Sequence, residues 1–296
     1  MKSMIKSIIK KIIPERLLND KREYQFLKER VAVIEEQLRT KWLSEKIIKP
    51  TNQKQVLKLN EYKIYSQNGD DGIINYIFSK IKPTSKTFIE IGIEDGKECN
   101  TANLIINFNW KGVLIEGNKK YAEKAREYYK NYPVEIINSF ITKENINKVL
   151  ESCNLGKEVD LFSLDIDGND YWVWEKIDSI NPKVVALEYN SVFGNKSIST
   201  TYDPNFDRYK KHESGLYFGA SLTALTKLAK TKGYILIGCC SSGVNAFFIR
   251  KDLVKNNFKE LIPEEAYYEN YSPVIKLETT EKQFKKIKNL PFNVIK

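Results

Sequence analysis

The run Phe88-Ile89-Glu90-Ile91-Gly92-Ile93-Glu94-Asp95-Gly96 carries an apolar strand that closes on an acid and then enters a turn bracketed by two glycines. A short, continuous apolar run suits a strand buried on both faces of a parallel sheet. Glycines at Gly92 and Gly96 let the backbone come close to a ligand, at the carboxyl end of a strand where open α/β sheets bind cofactors. Twenty residues past Gly96 a second strand, Val113-Leu114-Ile115, ends in Glu116. An acid in that position accepts hydrogen bonds from both hydroxyls of a ribose. Together, turn and acid predict a nucleoside cofactor. The bland alternative is a structural turn with a surface glutamate.

Outward from this unit, strand and helix alternate. Thr87–Gly92, Gly112–Glu116, Val134–Ile137, Asp160–Ile166 and Val184–Tyr189 read as buried parallel strands, with helical patterns between them at Lys119–Tyr129 and Asn169–Ile177. Alternating βα units imply a doubly wound α/β sheet with right-handed crossovers. The C-terminal part departs from this pattern. After a helical stretch at Ser221–Lys230, the runs Tyr234–Gly238 and Ala246–Arg250 are separated by a short turn containing Cys239, Cys240 and Gly243. Such a turn can only return antiparallel, because a parallel crossover needs a dozen or more residues. A mostly parallel sheet ending in an antiparallel hairpin is therefore expected. Residues 251–296 read as a mixed basic tail packed on the domain.

The N-terminal part is different. Ile5, Ile8, Ile9, Ile12 and Ile13 recur at helical spacing, with Lys2, Lys6, Lys10 and Lys11 on the other face and Pro14 closing the pattern. Such a basic amphipathic helix fits either peripheral contact with a membrane or packing on a protein surface. Tyr24, Leu27, Val31, Ile34 and Leu38 then follow a 3-4 spacing too short for a full coiled coil, which suits an arm that homodimerises or docks on the core. Lys49-Pro50-Thr51-Asn52 breaks the pattern, so the expected organisation is a helical arm over 1–50 and a domain over 51–296.

Charge narrows the partners. Of the net +10, residues 1–50 hold +6, with 13 Lys and Arg against 7 Asp and Glu, leaving +4 for the remaining 246 residues. A nucleic-acid reader carries its basic stripe on the folded domain, so nucleic acid is excluded as a substrate and a small molecule or glycan is expected. No apolar run reaches the ~20 residues of a membrane span, and the N-terminus lacks a secretory cleavage pattern. Cys99, Cys153 and the adjacent Cys239 and Cys240 suit neither a disulfide framework nor a metal knuckle, consistent with reduced thiols in a cytoplasmic protein.

Which nucleoside is a matter of charge. A dinucleotide places its pyrophosphate on a helix N-terminus and favours a GxGxxG turn. Here Glu90, Glu94 and Asp95 would repel phosphate and suit a sulfonium and an α-amino group. That points to S-adenosylmethionine rather than NAD.

With these residues in place, the chain resembles the FkbM-like group of class I methyltransferases from about Tyr65 to Arg250. The resemblance rests on Tyr65-Ser66-Gln67-Asn68-Gly69-Asp70-Asp71-Gly72, the Glu90–Gly96 turn, Glu116 and Leu164-Asp165-Ile166-Asp167-Gly168. It continues in Gly219-Ala220-Ser221-Leu222 and Asn245-Ala246-Phe247-Phe248. It implies a Rossmann-like sheet and O-methyl transfer, often to sugars in surface-glycan or antibiotic pathways. It further implies Gln67 and Asp71 over the cofactor, Glu90 and Gly92 along its methionine half with Asp95 and Gly96 beside them, and Glu116 on the ribose. One departure stands out: Glu94 occupies the middle position of the usual G-x-G-x-G, which implies a looser backbone approach.

At the reacting end, Asp165 and Asp167 lie two apart at a strand terminus, so both carboxylates project to one side if the strand persists. Glu188 closes the next strand, and Asn190 lies two beyond. Oxygen-only donors favour Mg²⁺ or Mn²⁺. Alternatively Asp165 holds the cofactor's amino group while Asp167, Glu188 and Asn190 cap helices or line a polar cleft. An alcohol acceptor must lose its proton, either acidified by a bound cation or taken by a side-chain base; His212 is the general-base candidate, and Asp165 is the other catalytic candidate. His212, the chain's one histidine, sits in the polar loop Arg208-Tyr209-Lys210-Lys211-His212-Glu213. Tyr217 and Asn245 are candidates to orient substrate. Trp172 and Trp174 are either core residues or a sugar-stacking platform. An NAD-dependent oxidoreductase of a nucleotide sugar and a non-catalytic assembly partner are the competing readings.

Overall fold

The structure is a computed structural model and describes residues 49–270 and 278–296. The two helices, membrane contact and dimerisation expected of residues 1–50 fall, apart from Lys49 and Pro50, outside the described residues. Residues 50–296 form one compact unit.

Its centre is a seven-stranded sheet. β1 (Thr87–Ile91), β2 (Lys111–Glu116), β3 (Val134–Asn138), β4 (Leu161–Leu164) and β5 (Val184–Glu188) pair in parallel. A short strand, β6 (Ile198–Thr200), lies outside this sheet. β7 (Tyr234–Cys239) and β8 (Asn245–Arg250) complete it in the order β3-β2-β1-β4-β5-β8-β7. β8 runs antiparallel to both neighbours, as the short turn before it requires. This mixed α/β architecture is Rossmann-like, a mostly parallel sheet that ends in the expected antiparallel hairpin.

Helices cover both faces. On one lie α1 (Gln53–Asn60), α2 (Asp70–Ile81), α3 (Ala102–Phe108) and α4 (Lys119–Tyr128). On the other lie α5 (Ile146–Ser152) and α6 (Asp170–Lys176). A one-turn helix, α7 (Arg208–Lys211), follows in the loop region, and α8 (Leu222–Thr231) and α9 (Pro263–Ala266) then join the face of α5 and α6. Strand side chains alternate between the two cores: Ile89 and Ile91 meet α5 and α6, while Phe88 meets the opposite layer. Because both faces are buried, the inner strands read as largely apolar runs rather than alternating ones, while the edge strand β3 exposes Glu135.

The C-terminal tail is more than a basic appendix. After α10 (Thr280–Ile287), β9 (Phe292–Val294) pairs antiparallel with β6 in a second, two-stranded sheet. A small core of Phe193, Ile198, Tyr217 and Ile287 forms beneath it.

The topology fixes where a ligand can bind. From β1 the chain winds outward to β2 and β3, then returns across β1 to build β4 and β5 on its other side. At that reversal the loops leave in opposite directions and open a crevice at the carboxyl ends of β1 and β4. Gly92 sits in it with φ +84°, and a Cβ there would stand 1.5 Å from the Asp165 carbonyl oxygen. Only glycine lets these two strand ends meet so closely. The expected close approach is therefore to the neighbouring strand's backbone.

Candidate active site

A cleft of about 1190 Å³ opens along the carboxyl ends of β1, β2, β4 and β5. Among the described residues, eight carboxylates line it, against a single cationic side chain, Arg208. The two halves of this acidic wall are built differently.

On the β1–β2 side, each acid is tied down by backbone donors. Glu90 is buried, and its Oε1 accepts from the Asn100 N–H at 2.8 Å. Its Oε2 accepts from the Thr101 N–H at 2.9 Å and the Thr101 hydroxyl at 2.5 Å. Burial pushes Glu90 up from the ordinary carboxylate range, and these hydrogen bonds oppose the shift. The carboxylate thus already takes the donors at the entrance to α3. Glu116, at the end of β2, accepts from the Glu94 N–H at 2.8 Å and the Asn118 N–H at 2.7 Å. Those bonds orient a carboxylate that still lines the cleft.

Glu94 itself has φ +50°, a left-handed conformation that favours glycine. The glutamate at the middle of the expected G-x-G-x-G therefore adopts the turn a glycine would, and the backbone path is kept. Burial and then the charges of Asp167 and Glu116 push Glu94 upward. Asp95 lines the cleft and pairs with Lys97 at 3.1 Å. Burial pushes Asp95 up, but the hydrogen bonds and charge of Lys97 hold it below its ordinary value.

Two residues expected near the cofactor lie elsewhere. Asp71 does not line the cleft; its Oδ2 accepts from the N–H groups of Ile64, Tyr65 and Ser66 and so shapes the loop that carries Gln67. Gln67 does line the cleft. Gly96 faces inward: its carbonyl accepts from the Tyr129 hydroxyl at 2.6 Å, and a Cβ would stand 2.8 Å from that ring.

On the β4–β5 side, the acids meet few donors. β4 ends at Leu164, earlier than the expected strand, and Asp167 has φ +56°. Even so, carboxylate oxygens of Asp165, Asp167 and Glu188 lie within 4.8 Å of one another. Asp167 forms an ion pair with Arg208, whose guanidinium lies 3.8 Å from the Phe218 ring centroid. Glu188 Oε2 is buried with no hydrogen-bond donor in reach among the described residues. Burial, then the charges of Asp167 and Asp170, push Asp165 well above the ordinary range, and a hydrogen bond with Glu188 opposes this only in part. Burial and the Asp165, Asp167 and Asp170 charges push Glu188 up in turn, against the pull of Arg208.

The fourth expected metal ligand is not part of this group. Asn190 does not line the cleft. Its Nδ2 donates to the Leu216 and Phe218 carbonyls, both at 2.9 Å, and its Oδ1 accepts from the Val192 N–H at 3.0 Å. The amide is thus engaged at both ends with the main chain around it, away from the three carboxylates.

His212 also stands outside the lining residues, with Nδ1 2.7 Å from the Ser214 hydroxyl, so it closes its own turn. Tyr217 is buried and its hydroxyl donates to the Pro291 carbonyl, anchoring the C-terminal tail. Trp174 is a core residue, and the Trp172 Nε1–H donates to the Thr200 carbonyl at 2.9 Å. Neither tryptophan lines the cleft. Asn245 does, and its Nδ2 reaches Asp70 at 3.3 Å.

The sequence reading missed Arg208 and the aromatic wall of Phe206, Tyr209 and Phe218 around it. A usable signal was present: an acidic cluster of this size needs a counter-charge, and Arg208 stands four residues before the singled-out histidine. Asp170 was missed as well. It caps the loop after β4, accepting from the Ile166 and Gly168 N–H groups, and burial pushes it up to about 6.

No family model and no curated protein matches the chain. Solved structures do resemble it. The CurJ carbon methyltransferase matches at 12% identity over 67% of this chain and 58% of its own, with a TM-score of 0.40. An O-methyltransferase from Bacillus cereus, in complex with SAH, matches at 14% identity over 71% and 94%, with a TM-score of 0.37. The N-terminal domain of EvdMO1, with SAH bound, matches at 11% identity over 67% and 92%, with a TM-score of 0.39. At these identities and scores the likeness assigns no chemistry to this chain.

Proposed function

We propose that the protein is an S-adenosylmethionine-dependent O-methyltransferase of the FkbM-like group, acting on a hydroxyl of a sugar or surface-glycan precursor. One observation carries the choice of cofactor. The backbone donors ahead of α3, where a dinucleotide fold seats its pyrophosphate, are already occupied by the Glu90 carboxylate. The rest of the lining adds seven further carboxylates, so a phosphate meets repulsion where a sulfonium meets attraction.

The residues present fit the cofactor. Glu116 is held by two backbone donors at the end of β2, positioned for ribose hydroxyls, while Gln67, Gly92 and Asp95 frame the rest of the crevice. When bound, S-adenosylmethionine supplies an electrophilic methyl group on sulfur. The chain contributes alignment of donor and acceptor, a large part of what a displacement at carbon requires. For the acceptor, the carboxylates of β4 and β5 are strong hydrogen-bond acceptors for hydroxyls. Tyr209, 69% exposed at the cleft wall, offers a ring face for a sugar in place of the buried tryptophans.

Isothermal calorimetry with SAH and with NADH tests the reading. SAH is expected to bind, NADH not. Glu116→Ala should weaken SAH roughly 10- to 100-fold, as loss of charge-assisted hydrogen bonds to two hydroxyls implies. Absence of SAH binding, or tight NADH binding, overturns the proposal.

A further inference from the structure

We infer that Asp165, Asp167 and Glu188 form a binding site for one divalent cation at the ends of β4 and β5. The site shares its cleft with the methyl-transfer reading and rests on it for the cation's role, though not for the binding itself. Three independent features of the structure converge on it.

First comes geometry: three carboxylates from two adjacent strand ends bring ligand oxygens within 4.8 Å of one another. Opposite ligands around Mg²⁺ or Mn²⁺ stand about 4.2 Å apart, given metal–oxygen distances of about 2.1 Å. The three carboxylates lie at separations of that order. Second, Glu188 is 91% buried yet its Oε2 has no donor, although it lines an open cleft. A buried carboxylate oxygen without a hydrogen bond is costly, and among the described residues none donates to it. Third, charge: three carboxylates face one guanidinium, Arg208. With Asp170 beside them, these acids gather more negative charge than Arg208 balances, and a divalent ion would offset it. All the donors are carboxylate oxygens, which selects a hard cation such as Mg²⁺ or Mn²⁺ over a soft one.

Arg208 then has a defined part. Its ion pair with Asp167 and its charge near Glu188 neutralise part of the cluster, so it opposes cation binding electrostatically. A hydroxyl of the acceptor that entered the coordination sphere would become more acidic, which is the chemistry a bound divalent cation supplies.

The test is a Mn²⁺ titration of the full chain after chelator treatment, with free Mn²⁺ followed by electron paramagnetic resonance. About one equivalent should bind. Glu188→Gln, which keeps the shape of the side chain, and Asp167→Asn, at an exposed position, should each weaken binding at least about tenfold. Arg208→Gln should tighten it severalfold, whereas Glu158→Gln, an acid outside the cleft, should change nothing. Wild type that takes up no Mn²⁺, or a Glu188→Gln chain that binds it like wild type, overturns the site. Weaker binding in Arg208→Gln counts against it too. Calorimetry with SAH on the same samples separates the two readings. Retained SAH binding without Mn²⁺ uptake removes the cation site alone, and Mn²⁺ uptake without SAH binding removes the methyl-transfer reading alone.

Discussion

The acids of the β1–β2 side and those of the β4–β5 side look alike in sequence, since each closes a buried strand. They differ in what their neighbours donate. Glu90 and Glu116 between them accept five hydrogen bonds from the loops that follow, four of these from backbone N–H groups. Glu188 is buried as they are and Asp165 is half-buried, yet among the described residues Glu188 Oε2 has no donor and Asp165 meets chiefly other acids. The first pair is complete within the chain and holds its loops in place. The second is complete only with a proton or a positive partner supplied from outside.

The sharpest way to break this contrast is to make the same substitution on both sides. Glu90→Gln replaces a buried acceptor by an amide whose N–H₂ must face a donor, the Asn100 N–H or the Thr101 N–H and hydroxyl. A cost on the order of 2–4 kcal/mol is expected, because a charged hydrogen-bond network is broken and a buried donor is left unpaired. Glu188→Gln should be neutral or stabilising, because it removes one charge from a crowded acidic group and gives Asp165 a donor. Urea unfolding at fixed pH measures both. Equal destabilisation by the two variants would erase the distinction.

A related test concerns Asp70, at the start of α2 and behind the cleft wall. It is fully buried, its Oδ2 lacks a partner, and so does Oδ1 of the Asn245 amide that reaches it. Burial pushes Asp70 up to about 7, the Asn245 hydrogen bond opposes this, and Asp71 and Glu61 add to it. The Cys240 thiol also faces this group and is itself pushed upward by burial and by Asp70. The sign follows from proton binding. Below the ordinary value of 3.8 both folded and unfolded chains are protonated, so this group adds no penalty. Between 3.8 and about 7 the folded chain holds a proton that the unfolded chain has lost, so stability falls as pH rises. Above about 7 the penalty is complete, on the order of a few kcal/mol. Asp70→Asn keeps the acceptor for Asn245 Nδ2 and supplies a donor among the orphaned oxygens. Its stability gain over wild type should therefore grow between pH 4 and pH 8 in parallel denaturant titrations. A gain independent of pH would mean that Asp70 ionises normally.

The contrast also separates what is legible in the sequence from what is not. Most of the seven-stranded sheet is legible because its inner strands are buried on both faces and run apolar, whereas the edge strand β3 exposes Glu135; the ends shift, as where β4 stops at Leu164. Strand-closing acids are legible for the same reason, since a charge interrupts such a run only at the rim. Whether a polar side chain then faces the cleft or its own backbone depends on loop geometry that no spacing encodes. Asp71 and Asn190 match their expected sites in sequence, yet each turns to nearby main-chain groups. The pairing of β6 with β9 joins two three-residue strands more than ninety residues apart, too short for any periodicity to register.

Glu94 allows the finest test, because it belongs to the complete side and still carries a local strain. At φ +50° a glutamate stands where a glycine costs nothing, and the left-handed conformation is disfavoured by about 1 kcal/mol for a residue with a Cβ. Glycine enlarges the freedom of the unfolded chain, which offsets part of that gain. Glu94→Gly should thus change stability by less than about 1 kcal/mol, in the stabilising direction, with the Glu94 N–H still donating to Glu116. It also removes one negative charge beside Asp167 and Glu116, so affinity for a positively charged sulfonium should fall while affinity for neutral SAH should hold. Thermal unfolding and paired calorimetry with S-adenosylmethionine and SAH read the two effects separately. An equal loss for both ligands would mean that Glu94 shapes the crevice through its backbone and not through its charge.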